Sequence, residues 1–221
     1  MRQNYHEELD AIVSTLVGMT DDVRVAVADA TRALLDADAA LAARVVGNDP
    51  GLDERHDAME ERCFNLLARQ APVAGELRTV VAALRMAFEL ARMGDLAVHV
   101  AKIAAMRAPM PAVPDPLREN FSRMAQVADG MIAVTGTTLA ERDVSKATRL
   151  ADSDEEMDEL RRRQFEVLLS GDWPYGVEAA VDVALLGRYY ERIADHAVSM
   201  GRRIIYLVTG ASPDGENWPN A

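Results

Sequence analysis

Apolar residues recur along this chain at steps of three and four. Leu9, Ile12, Leu16, Met19, Val23, Ala26 and Ala30 form the first such seam. That spacing places them on one helical face, the strip of a bundle or coiled coil. It predicts a long first helix over about residues 5–46, stopped at Gly47, Asn48, Asp49 and Pro50. There glycine caps the helix and Pro50 can sit in the next first turn. A second helix should run to about Arg69, where "QAPVAG" breaks the chain. A third covers roughly residues 76–107, with Met86, Met93, Ala97, Val100 and Ala104 on one face. The stretch "APMPAVPDP" carries four prolines in nine residues, too many for a helix to continue.

The pattern then restarts. Asp115 can cap and Pro116 can begin a fourth helix reaching about residue 148, with Leu117, Phe121, Met124, Ala128, Met131 and Thr135 as its seam. A fifth covers about 153–169, "SGDWPYG" breaks it, and a sixth runs to about 209, ended by Gly210 and Pro213. No alternating strand pattern occurs. The expected fold is all-α: two tandem three-helix bundles related by an internal repeat. The expected divisions are 1–108 for the first bundle, 109–115 for a Pro-rich linker, 116–212 for the second bundle and 213–221 for a frayed tail.

Composition narrows the class. The chain has 221 residues, of which 49% are hydrophobic and only 5% aromatic. Ala, Leu and Met, strong helix formers, suit the helical reading. A net charge of −12 argues against nucleic acid and towards cations or basic partner surfaces. The single cysteine, Cys63, leaves no internal disulfide and fits a reducing compartment. The N-terminus "MRQNYHEELD" lacks a secretory signal's apolar core, and no apolar run has the roughly 18–20 residues a membrane span needs. The expectation is a soluble cytoplasmic protein.

The candidate chemistry is carboxylate. Glu191 and Asp195, in "YERIADHAVS", stand four apart and share a helix ridge, with Ser199 four further on. "ARMGDLAVH" repeats the passage, pairing Arg92 with Arg192 and Asp95 with Asp195. Folding helices five and six into a hairpin sets Asp154 and Asp158 opposite Asp195 and Glu191. The equivalent first hairpin sets Asp53 and Asp57 opposite Asp95 and position 91, which is Ala. Helical phase, at about 100° per residue, turns the Glu191–Asp195 ridge outward. The plain alternative is a solvated acidic face. A cluster of four carboxylates at one height argues for Mg, Mn, Fe or Zn instead. His99 could replace the acid missing at Ala91, or form a simple ion pair. Glu89 lies about 120° around the helix from Asp95 and is set aside. Glu60 and Glu61 extend the acidic patch or are merely solvated.

Other classes lack their signatures. No histidine has Glu three residues before it, as di-iron carboxylate enzymes require. No phosphate loop or dinucleotide fingerprint is present. Cys63 beside Phe64 reads as core. Val80, Leu84 and Phe88 give helix three an apolar back face, suited to the other bundle, a dimer or a partner.

In combination these motifs resemble the PhoU family, regulators associated with the high-affinity phosphate (Pst) transporter. The likeness is carried by the turn Gln70, Pro72, Val73, Ala74, Leu77 and Arg78, the paired aspartates before it, and "YYERIADHAVSMGRRIIYLVTG". It covers nearly the whole chain and looks actinobacterial in type. The resemblance implies tandem three-helix bundles and multinuclear metal clusters. Onto this chain those clusters map as Asp154, Asp158, Glu191 and Asp195, and as Asp53, Asp57 and Asp95 with His99 the stand-in. It also implies a non-enzymatic, cytoplasmic negative regulator of the phosphate-starvation response, acting on phosphate uptake. Its implied partners are the Pst transporter's ATPase subunit, a membrane sensor histidine kinase and a second copy in a homodimer, with membrane contact only through partners. The alternative is a metal-dependent hydrolase of phosphate compounds.

Overall fold

A computed structural model of the chain describes residues 2–70, 72–147 and 149–210. Within them run α1 (Arg2–Asp36), α2 (Ala39–Gln70), α3 (Gly75–Arg107), α4 (Asp115–Glu141), α5 (Arg149–Leu169) and α6 (Gly176–Thr209). A 3-10 turn, Val144–Lys146, precedes α5. No strand occurs among the described residues, and none of their helices is long and apolar enough to cross a membrane. The expected tail, with Pro213, lies outside the described residues, as does Thr148.

The seams follow the predicted periodicity at all but one position. Leu9, Ile12, Leu16, Met19, Val23 and Ala30 are buried, as are all the seam residues of α3 and α4; Ala26 is only half-buried, and its neighbour Val27 is buried instead. Each large apolar side chain so buried contributes about 1.5–3 kcal/mol. Cys63 is buried too, and desolvation pushes its thiol up to about 11. On α3, Val80 belongs to the core and Leu84 packs against it; of the proposed back face only Phe88 stays exposed.

The first break is misplaced in the sequence reading. The chain turns at Ala37 and Asp38, ten residues before the predicted stop, and α2 continues straight through the Gly-Asn-Asp-Pro-Gly stretch. Ala37 takes a left-handed conformation (φ 53°), and the Asp38 carboxylate accepts the Leu41 backbone N–H at 2.9 Å. A proline inside a helix costs about 3 kcal/mol. Burial on both sides of it offsets that cost: Leu41, Ala42 and Val45 before, Met59 and Cys63 after. The second half departs less. The α4 helix ends at Glu141, where Arg142 turns left-handed, and Asp115 opens the helix from within its first turn.

Four helices form an inner layer. The α1 helix packs on α4, and α3 packs on α6, so the repeats share one continuous apolar core. The outer helices differ: α2 packs on α1 and α3, while α5 packs on α4, α6 and the 3-10 turn. Ala112 and Val113 of the proline-rich connection are buried as well. Polar contacts cross the same boundary. Arg24 donates twice to Asp129, at 2.8 and 3.1 Å, and the buried hydroxyls of Thr31 and Tyr190 lie 2.7 Å apart. Arg107, near the end of α3, pairs with Glu178 and Asp182 near the start of α6, so these two helices run antiparallel.

Candidate functional site

The buried positions give the correspondence between repeats. On the inner helices Leu16, Val23 and Val27 match Leu117, Met124 and Ala128, while Leu90, Met93 and Ala97 match Tyr190, Ile193 and Ala197. On the outer helices Met59 and Cys63 match Leu160 and the buried Gln164. The same steps carry Asp53 and Asp57 onto Asp154 and Asp158, and Asp95 onto Asp195. They also carry Glu60 onto Arg161, Ala91 onto Glu191 and Phe88 onto Arg188.

In the second hairpin, α5 and α6 cross where a glycine leaves room: a Cβ at Gly187 would run into Gln164, whose amide donates to the Val183 carbonyl. One turn away, the carboxylate of the half-buried Glu191 faces two guanidinium groups. It pairs with Arg161 of α5, and Arg188 of its own helix lies 2.9 Å away. Asp195 is exposed and reaches Arg188 at 3.9 Å. Burial lowers the Arg161 pKa and the charge of Arg188 lowers it further, opposed by Asp158 and Asp195. Asp158, Glu191 and Asp195 therefore share a neighbourhood, but arginines stand among them. Asp154 is half-buried on α5 and engaged with its surroundings. Sequence reasoning missed Arg161 and Arg188. Arg161 follows Asp158 by three residues, the spacing of a shared helix face, and could have signalled this.

The first hairpin inverts that chemistry. Leu52 of α2 meets Gly94 of α3, whose Cβ would strike it. Asp53, Asp57 and Glu60 are all exposed. Two α2 arginines serve α1 instead: Arg55 pairs with Asp22 at 2.7 Å and Arg62 with Glu8 at 2.8 Å. Asp95 is paired with Arg92 on its own helix at 2.9 Å. Arg92 also lies over the exposed Phe88 ring, 5.2 Å from its centroid, and His56 meets the ring edge-on. His99 does not face the α2 carboxylates. Its Nδ1 bonds the Asp95 carbonyl at 2.7 Å, and its ring packs 5.3 Å from that of Tyr189 on α6. Ligand atoms of His56, Asp57 and Glu60 do gather within 4.8 Å, the one such three-donor group among the described residues.

A third feature was set aside in the sequence reading. Glu89 is buried between α3 and α6, where His196 Nδ1 donates to it at 2.6 Å and Ser199 Oγ at 2.7 Å. Arg203 adds an ion pair at 3.7 Å. Burial would raise the Glu89 pKa; these hydrogen bonds and charges outweigh it, and the carboxyl sits below its ordinary range. Ser199 leaves the acidic ridge because each four-residue step rotates about 40° around a helix. Tyr189 and His99 form the equivalent contact on the other side of the α3–α6 crossing.

At the second hairpin a cation on Glu191 and Asp195 would meet the two guanidinium groups already facing them, so the residues there do not fit one. At the first, Asp53, Asp57, Asp95 and His99 are not gathered on one point; His56, Asp57 and Glu60 are.

Comparison with known proteins follows the same two halves. A family model described as the PhoU domain matches residues 16–104 and again 121–204. The chain is 42% identical over 221 residues to the phosphate-specific transport system accessory protein PhoU homolog 1 of Mycobacterium leprae, covering 100% of both chains. It is 43% identical over 213 residues to homolog 2 of Mycobacterium tuberculosis, covering 96% of this chain and 100% of that one. The crystal structure of PhoU from Pseudomonas aeruginosa superposes with a TM-score of 0.85 at 27% identity, covering 94% of this chain and 100% of that one. The phosphate transport system regulatory protein PhoU from Streptococcus pneumoniae gives 0.85 at 23% identity, with 94% and 98% covered, a likeness of fold.

Proposed function

The chain belongs to the PhoU family, and on that premise we propose that it is an accessory protein of a phosphate-specific transport system, acting as a regulator rather than an enzyme. Its role is cytoplasmic and negative. It couples the transporter's ATPase subunit to a sensor histidine kinase and holds down the phosphate-starvation response when phosphate is plentiful. The observation that supports this most is the end-to-end likeness to the M. leprae accessory protein, which spans both repeats and the connection between them. The charge of −12 fits the reading, because an acidic surface draws basic patches on partner proteins and speeds encounter with them.

The test is a deletion strain carrying a reporter on a starvation-induced gene. Reporter output in high phosphate should rise on deletion and fall again when the chain is restored. Output that stays low in high phosphate would overturn negative regulation. Pull-down of the tagged chain should recover both the transporter ATPase and the kinase's cytoplasmic part; recovery of neither would overturn the coupling.

A further inference from the structure

We infer that the second hairpin carries its counter-charge in its own side chains. Arg161 and Arg188 hold the position between α5 and α6 where the family's acid motifs imply a metal cluster, and this repeat takes no metal. The inference rests on family membership and on the geometry, not on the transport role.

Three observations converge on it. Glu191, the best-placed ligand of the motif, is half-buried and meets guanidinium groups from both helices of the hairpin. Asp195 also reaches Arg188, so two of the four predicted ligands already meet arginine. A divalent cation held by the same carboxylates would sit a few ångströms from two fixed positive charges. Like charges at such separations repel, and burial strengthens the repulsion.

The second line is the comparison of repeats. The equivalents of Arg161 and Arg188 are Glu60 and Phe88, so the first repeat lacks this neutralisation. The third is that charges on the outer helices are exchanged as complementary sets. In the first repeat Asp22 of α1 pairs with Arg55 of α2 at 2.7 Å. At the equivalent positions Arg123 of α4 pairs with Glu156 of α5 at 2.6 Å, the same bridge with its signs reversed. Arg161 and Glu191 add a bridge between α5 and α6 that the first repeat lacks, since their equivalents are Glu60 and Ala91.

The experiment titrates zinc chloride into the full chain by calorimetry, with bound zinc checked by elemental analysis and folding by circular dichroism. Three proteins are compared: the unsubstituted chain, Glu191→Gln with Asp195→Asn, and Arg161→Gln with Arg188→Gln. Any zinc taken up at His56, Asp57 and Glu60 is common to all three and cancels. Removing the carboxylates should leave the zinc stoichiometry unchanged. Removing the arginines should add a further zinc equivalent and a zinc-dependent rise in melting temperature that a chelator reverses. A drop in stoichiometry on losing the carboxylates would overturn the inference, as would no gain on losing the arginines. If the double arginine variant does not fold, Arg188→Gln alone and the carboxylate pair decide the question.

Discussion

The two hairpins share a backbone plan and differ in how their charge is balanced. In the second, acid and guanidinium alternate across the α5–α6 groove, and Glu191 is half-buried because Arg161 and Arg188 accompany it. In the first, Asp53, Asp57 and Glu60 face solvent, and the nearby arginines are spent on α1 or within α3. Motif spacing alone does not separate these two environments. The repeat with the fuller acidic motif has arginine from both helices beside it, whereas in the repeat with Ala91 the acids meet partners of their own helix, Asp95 with Arg92 and Asp57 with His56.

The largest expected effect is on Glu191. Glu191→Ala leaves Arg161 half-buried beside Arg188 without its acid, and should cost about 2 kcal/mol in urea unfolding. Next is the buried contact between repeats. Glu89→Gln should lose about 1–2 kcal/mol near neutral pH. Its pH dependence has a definite sign. Because the folded Glu89 pKa is depressed, its contribution is present above the ordinary value of 4.5 and is lost as pH falls through the lower, folded value. Unfolding midpoints across the acid range should therefore fall less steeply for Glu89→Gln. Tyr189→Phe, at the equivalent position, should leave that acid slope unchanged. Smaller is Glu60→Arg, which imports into the first repeat the charge Arg161 supplies in the second; a gain of about 0.5 kcal/mol is expected, shrinking as salt is raised. Smallest is Ala91→Glu, a few tenths of a kcal/mol unfavourable by like-charge repulsion. If Ala91→Glu cost as much as Glu191→Ala, the hairpins would not differ as described.

Much of the fold is legible in the sequence, because buried seams such as Ile12–Leu16–Met19 state the helical period directly. The turn at Ala37 is not legible. Neither Gly nor Pro marks it, and the one local cue, Asp38 ahead of Leu41, is outweighed on paper by the Gly-Asn-Asp-Pro-Gly stretch inside α2. That stretch stays helical because residues on both sides of it are buried, information no local rule contains. The candidate site was half legible. The hairpin count placed Asp158, Glu191 and Asp195 near one another. It could not show that arginines had joined them, because the spacing of acids along two helices does not say which long basic side chains fold in beside them. Glu89 was set aside for lying off the acidic ridge, which is the orientation that turns it towards α6.

The division between inner and outer helices bears on how such a chain can change over generations. A substitution on α1, α3, α4 or α6 is felt by both halves of the duplication, since Thr20 abuts Gly136 and Thr31 meets Tyr190 across the shared core. A substitution on α2 or α5 is felt by its own half. A change on an inner helix therefore has to be accommodated by both halves, while one on an outer helix is accommodated within its own. An ancestral repeat copied once would retain its packing and diverge in the electrostatics of its outermost helices, which is where Glu60 and Arg161 part company.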